Sequence, residues 1–427
     1  LRQHRPQNEM AAEVPIDPHQ IPERPAGQFG SGGVHEFGPK DPPVPAVHSS
    51  DDTLRCMQRR EFLQSTAAWS AIPLLGRSNV KYRTALIGAG SRGRDILRSA
   101  MQAGRSKVVA LCDVDENQLA PAAADVSRFT GDIPRRYKDY REMLLTEKPE
   151  ICIVATPDHW HALNMIAAVQ AGAHVWLEAP LCHTINEGRA MVKAASDAGV
   201  VVQVGAQRRN AAGLKLLRSG RLGRINQVRV CTSSSASVAG ILPGARGVEA
   251  AYYFREILAW SGEKSPTRVF SVGTRHGSED DSNAPDTQVS TFEFQNFTTV
   301  WEHRQFGGSA GVYYYGAEGT LHTAGNHRWT FTPASRGERS VHVHGPEPAA
   351  SESGWKAFLA TIEDTKQAHR DLEAAQRSTN MSLLAMISMS LGRSVVWDGV
   401  KMEITGDTQA NALLARPYRL SWDYPKA

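Results

Sequence analysis

Cysteine is scarce in this sequence. It occurs five times in 427 residues, and no two fall in a C-x-x-C pair. That removes the usual zinc-ribbon and thioredoxin-like spacings. Cys112 and Cys152 lie in apolar runs, where a cysteine behaves as a small core side chain. No structural disulfide is expected. Long hydrophobic runs are also missing. None reaches the ~18 residues of a helix that crosses a membrane, so no integral span is expected. Excess charge of either sign is lacking too, with a formal +4 over the whole chain. No broad basic face follows from that, and nucleic acid is not an expected partner. No internal repeat is present. His159 and His161 have an i, i+2 spacing that by itself is poor evidence for a metal, so none is expected. What remains is a globular composition, 41% hydrophobic and 22% charged, with length enough for two domains.

The organising stretch is 84–93, TALIGAGSRG. Thr84 to Ile87 reads as a buried strand. Gly88-Ala89-Gly90-Ser91-Arg92-Gly93 follows at once and fits G-x-G-x-x-G, and a helical pattern opens at Arg94. The chemistry asks for glycine three times. Gly88 makes the tight turn, Gly90 lets backbone approach a pyrophosphate, and Gly93 lets helix and strand pack closely. The helix N-terminus offers free N–H groups and a positive dipole end to the anion. A second apolar run, Val108 to Cys112, ends in Asp113. An acid there is placed to accept the adenosine ribose hydroxyls.

The first 56 residues are rich in Pro, Gly, His and charge, and read as disordered or untranslated. Met57-Gln58-Arg59-Arg60-Glu61-Phe62-Leu63 resembles a twin-arginine export signal, and 66–76 serves as its apolar segment. Translation is then expected to start at Met57, with 57–79 as the signal. The protein is expected to be exported to the periplasm or anchored by an uncleaved signal; without a working signal it is expected to be cytoplasmic. From Lys81 to about residue 205 strands and helices alternate. Ile151 to Ala155 ends in Thr156-Pro157-Asp158-His159-Trp160-His161. His174 to Leu177 ends in Glu178-Ala179-Pro180, and Val200 to Val204 in Gly205-Ala206-Gln207. Every candidate polar group therefore follows a strand, at the edge where parallel sheets bind ligands. Beyond about 210, period-two runs at 226–233, 268–274, 287–294, 298–304, 312–315 and 329–332 predict an antiparallel sheet. Helices are expected at 211–219, 355–365 and 377–391, and a loop at 236–248.

As a set these motifs resemble the Gfo/Idh/MocA oxidoreductases, the sugar and cyclitol dehydrogenases of glucose–fructose oxidoreductase type. The resemblance rests on Gly88-Ala89-Gly90, Thr156 to Ala162, Glu178 to Leu181 and Val204 to Arg209. Further along it includes Asp286-Thr287, Thr299 to Arg304, Tyr315 to Leu321, Arg377-Ser378-Thr379 and Arg416 to Arg419. It implies an α/β protein with an N-terminal Rossmann domain over 80–206. A C-terminal α/β domain over 207–427 would carry a large open, mostly antiparallel sheet, its last helices packing back on the Rossmann domain. It also implies a nicotinamide cofactor and a carbohydrate-like substrate; Asp113, with no phosphate-gripping arginine beside it, favours NAD over NADP, and the open sheet with its aromatic strands is expected to form a homodimer or homotetramer. The cofactor set is then Gly88, Gly90, Ser91, Arg92, Gly93, Asp113, Thr156, Pro157, His159, Glu178 and Gln207.

Two departures stand out. The family places a lysine between Glu178 and Pro180; this chain has Ala179, a methyl that moves no proton. The family's Asp/His segment after the first strand of the second domain is missing, and Tyr252 to Glu263 follows instead. Of the remaining groups, His159 and His161 are the candidate bases, since imidazole titrates near neutral pH. Glu178 is a candidate for orienting the bound groups. The expected function is NAD-dependent oxidation or reduction of a sugar-like hydroxyl or keto group. The alternative is a catalytically degenerate nucleotide- or sugar-binding protein, or an envelope scaffold.

Overall fold

Continuous apolar runs in the first half of the chain form the inner strands of a parallel sheet, because helices cover both of its faces. The computed structural model describes residues 81–205, 211–233, 248–275, 285–304, 308, 310–324, 328–335, 337, 339–344, 351–364, 370–419 and 421–425. The expected disordered segment, the export signal, Gln207 and the loop at 236–247 lie outside the described residues.

The first sheet is laid down by β1 (Tyr82–Ile87), α1 (Ser91–Gln102), β2 (Ser106–Cys112), α2 (Glu116–Thr130), β3 (Arg135–Tyr137), α3 (Tyr140–Glu147) and β4 (Ile151–Val154). It continues through α4 (Asp158–Gln170), β5 (His174–Leu177), α5 (Ile185–Ala198) and β6 (Val202–Val204). The strand order is β3-β2-β1-β4-β5-β6, with every pairing parallel. All four residues of β4 are buried. Local chemistry starts the helices. Asp115 caps α2 by accepting from Asn117 N–H, and Asp139 caps α3 by accepting from Arg141 N–H. Thr184 and Glu187 form a capping box at α5.

After α6 (Ala211–Arg218) comes the second sheet. Its elements are β7 (Ile225–Ser233), α7 (Val248–Ser261), β8 (Arg268–Thr274), β9 (Thr287–Glu293), β10 (Thr298–Arg304), β11 (Gly311–Gly316), β12 (Gly319–Ala324), β13 (Arg328–Pro333) and β14 (Val341–His344). Helices α8 (Ser351–Glu363) and α9 (Arg370–Leu391), strands β15 (Val395–Asp398) and β16 (Glu403–Ile404), and α10 (Thr408–Ala412) follow. The ten strands run β14-β13-β12-β11-β7-β10-β9-β8-β15-β16. Only β7 and β10 pair in parallel; the other pairings are antiparallel.

The alternation along β10 is clean. Thr299, Trp301 and His303 are buried, and their neighbours face the other way. The buried face packs on α7 and α9. Phe254 of α7 meets Phe292 and Trp301 edge-on, with ring centroids 5.0 and 5.8 Å apart. The opposite face carries exposed Phe270, Val272 and Val289.

The expected elements form, with shifts. The strand expected at 200–204 begins at Val202, and the helix expected at 377–391 begins seven residues earlier, at Arg370. Helix α7 was not anticipated. Ala250, Phe254, Ile257 and Leu258 are buried at i, i+4, i+7 and i+8, which is the spacing of a helix face. The aromatic run Tyr252-Tyr253-Phe254 obscures it.

Candidate functional site

The glycine turn meets each steric demand separately. Gly88 has φ +93°, and a Cβ there would stand 2.6 Å from the Ala155 carbonyl carbon. A Cβ on Gly93 would stand 1.9 Å from the Gly88 oxygen. A Cβ on Gly90 would meet nothing within 4 Å. The space over Gly90 is therefore open to a ligand, while Gly88 and Gly93 are glycine because protein fills the gap. Gly90 is the N-cap of α1 and has no side chain to cap it, and no acid lies in the first turn. The free N–H groups and the helix dipole point into that space. Ser91 and Arg92 open the same turn.

Asp113 follows β2 and ties the turn down. One carboxylate oxygen accepts from Ala89 N–H at 2.7 Å and the other from Asp115 N–H at 2.9 Å. Each oxygen keeps a further lone pair. The next residues are Val114, Asp115 and Glu116, with no arginine among them.

At the end of β4, Thr156 accepts from Asn164 Nδ2 at 3.0 Å through its hydroxyl. Pro157 is the N-cap of α4. The two histidine candidates then separate. His161 is 1% exposed. Its Nδ1 faces the Pro180 carbonyl at 2.8 Å and its Nε2 the Thr156 carbonyl at 2.9 Å. Both ring nitrogens thus lie against backbone carbonyls, one at the end of β4 and one after β5, and the neutral ring donates to one of them. Burial lowers its pKa, with the two carbonyls opposing. His159 is half-buried, and its Nδ1 is 3.9 Å from the Asp158 carboxylate. Asp158 also accepts from His183 Nδ1 at 3.2 Å. Burial alone would raise the Asp158 carboxyl; the two histidines outweigh it and hold it well below the usual carboxylate range.

Glu178, after β5, pairs with Arg92 of α1. Arg92 Nη2 donates to Glu178 Oε1 at 3.2 Å, and Nε lies 3.2 Å from Oε2. The pair bridges the glycine turn and the β5 edge. Ala179 comes next, half-exposed, with a cis peptide bond to Pro180. Gly205 closes the edge after β6 with φ +52°. The turn after β1 and those after β2, β4, β5 and β6 thus converge on one edge of the sheet.

The C-terminal stretch reaches the same edge, a role the sequence reading did not assign. Glu187, fully buried, accepts from Arg416 Nε and Nη2 at 3.1 and 2.9 Å and from Tyr418 OH at 2.5 Å. Arg416 Nη2 also donates to the His159 carbonyl at 2.6 Å. Trp422 meets Trp160 edge-on at 4.8 Å. His159, Trp160, Arg416, Tyr418, Arg419 and Trp422 line a pocket of about 300 Å³. The T-x-x-E spacing at Thr184 is a local signal for the capping box, one the sequence reading did not use; the Glu187–Arg416 pairing, across 229 residues, has no local signal. Among the described residues no group of three or more potential metal ligands occurs.

Trp301 and His303 sit inside the second sheet, both bonded to Thr232 Oγ1, at 2.9 and 3.1 Å. Tyr313 stacks on Tyr315 and His322 on the opposite face.

A six-stranded parallel sheet with an uncapped glycine turn, joined to a large mixed sheet, defines a dinucleotide-fold oxidoreductase architecture. Comparison with known proteins agrees. The description "Oxidoreductase family, NAD-binding Rossmann fold" matches residues 82–206, and "Oxidoreductase family, C-terminal alpha/beta domain" matches 339–424. The chain belongs to the Gfo/Idh/MocA oxidoreductase family. It is 32% identical over 184 residues to a glycosyl hydrolase family 109 protein of Stenotrophomonas maltophilia, a match covering 40% of each chain. It is 31% identical over 152 residues to the 1,5-anhydro-D-fructose reductase of Ensifer adhaerens, covering 35% of this chain and 44% of that one. The matches thus span less than half the length of these curated relatives. The fold is that of the WlbA dehydrogenase from Bordetella pertussis, solved with NADH and UDP-GlcNAcA. The TM-score is 0.61 at 21% identity, over 74% of this chain and 99% of that one.

Proposed function

We propose that this protein binds a nicotinamide dinucleotide, NAD in preference to NADP, and acts on a hydroxyl or keto group of a sugar-like molecule. The observation that carries the reading is the glycine turn. Protein fills the space beside Gly88 and Gly93 and leaves it open over Gly90, so the residues present fit the cofactor. The α1 N-terminus would hold the pyrophosphate and Asp113 the adenosine ribose. A carboxylate there repels a ribose phosphate, which favours NAD. When bound, the nicotinamide supplies or accepts a hydride. The glycosidase and reductase names of the relatives share a sugar, and that shared chemistry supports the substrate class.

The chain's own residues do the rest. Arg92 and Glu178 hold each other over the sheet edge and are placed to orient a ligand there. Thr156 and Pro157 shape its floor. His161 lies buried between carbonyls at the β4 and β5 ends, which leaves His159 as the histidine with a partly exposed ring. A second reading is favoured by one observation. Ala179 puts a methyl where the family keeps a lysine, so the protein binds its ligands and turns over slowly or not at all. Calorimetry with NAD and NADP tests the first claim. No heat of binding at millimolar NAD would refute it. Absorbance of reduced nicotinamide, followed across a panel of sugars, separates turnover from binding.

The export signal at Arg59-Arg60 and a dimer through the second sheet belong to the same proposal. Cell fractionation of the Arg59→Lys/Arg60→Lys variant tests the former, with retention in the cytoplasm as the expected result.

A further inference from the structure

We infer that Tyr252, on α7, is the proton-transfer residue of this site and stands in for the lysine that Ala179 lacks. This rests on the function proposed above. The geometry comes from Gly205. A Cβ built on Gly205 would lie 3.3 Å from the Ala179 Cβ and 3.4 Å from the Tyr252 hydroxyl oxygen. The phenol and the alanine methyl therefore flank one point at the β5–β6 edge. A lysine at 179, with its four-carbon stem, would carry its ammonium into the same space. Tyr252 also interacts electrostatically with Arg92, whose guanidinium is held by Glu178 at 3.2 Å. A phenol beside a fixed cation is a competent acid and base. His161 has both ring nitrogens against carbonyls, and Ala179 has no proton to give.

In reduction, the phenol O–H bond breaks and its proton passes to the substrate carbonyl oxygen. Reduced nicotinamide, when bound, would supply the hydride to the carbonyl carbon, and solvent would reprotonate the Tyr252 phenolate. In oxidation, the phenolate would take the substrate hydroxyl proton, with the oxidised nicotinamide as the acceptor of the hydride that the carbon gives up.

The test uses the full chain. Wild type, Tyr252→Phe, Ala179→Lys and the double variant are compared in two measurements. NADH fluorescence checks folding and cofactor binding, and all four should bind alike. Tyrosinate absorbance is then titrated without cofactor. Ala179→Lys should draw one phenol's ionisation down by about one pH unit, and the shift should vanish when Tyr252→Phe is added. A titration unmoved by Ala179→Lys, or a shift that survives in the double variant, overturns the juxtaposition. On any sugar that wild type turns over, Tyr252→Phe should lower kcat by roughly 10²–10⁴-fold and flatten the pH–rate profile, with KM for NAD unchanged. A kcat within threefold of wild type overturns the catalytic role. A wild type that does not bind NADH refutes the proposed function. One that binds NADH but lacks the Tyr252-dependent signature refutes this inference alone.

Discussion

At the scale of single residues, the three glycines of the turn make unequal predictions. A side chain at Gly90 enters open space, so Gly90→Val should leave the fold intact and remove NAD binding. Thermal unfolding close to wild type, with no calorimetric heat on NAD addition, is the expected pair of results. Gly93→Ala cannot be so selective, because its Cβ would lie 1.9 Å from the Gly88 oxygen; it should destabilise the fold as well. Asp113→Ala should weaken NAD more than NADP, read as a change in the ratio of their Kd values.

Glu256 makes a prediction about pH. Its carboxyl is enclosed beside Tyr314, whose hydroxyl donates to it at 3.1 Å. Burial pushes its pKa up to about 7, with the tyrosine bond opposing. The folded state therefore favours the protonated acid. That stabilisation is complete below the unfolded value of about 4.3 and is lost as pH rises through about 7, amounting to ~3 kcal/mol. Urea unfolding at about pH 5 and pH 8 should show this loss in wild type, and Glu256→Gln should abolish it.

At the scale of elements, the C-terminal stretch acts as a strap on α4 and α5. Its anchor is the Arg416–Glu187 pair, with the carboxylate fully buried and accepting five hydrogen bonds from four residues. Removing Glu187 leaves a guanidinium without its partner in a part-buried place. Glu187→Ala should cost about 3–5 kcal/mol, measured as a fall in the urea midpoint. The capping box at α5 has a local signal, because Thr184 and Glu187 are three residues apart. The strap has none, since nothing local ties residue 187 to residue 416. The same limit explains Tyr252. Its helix could be read from Ala250, Phe254, Ile257 and Leu258, but its approach to Gly205 depends on how α7 packs.

At the scale of the whole molecule, the second sheet has one face covered by α7 and α9. The other is partly apolar, with Phe270, Val272 and Val289 at 44%, 54% and 40% exposure. Such a face is commonly covered in an assembly. We expect a dimer by light scattering at micromolar concentration, and Val272→Asp/Phe270→Asp should shift it toward monomer without loss of NAD binding. A wild-type monomer would remove the sheet face as an interface.

The sequence alone determined what depends on neighbours along the chain. Steric demand at a glycine turn, the period-two burial of a strand and the polar residue that follows each strand are local properties. Those made the Rossmann fold readable, along with most strands of the second sheet. Tertiary structure decided what depends on distant residues meeting. It set both nitrogens of His161 against backbone carbonyls and left His159 partly open. It matched Arg92 with Glu178 across 86 positions. It also brought the phenol of Tyr252 to Gly205, where Ala179 also packs. Chain topology sets these encounters, and the identity of the residues at either end does not reveal them.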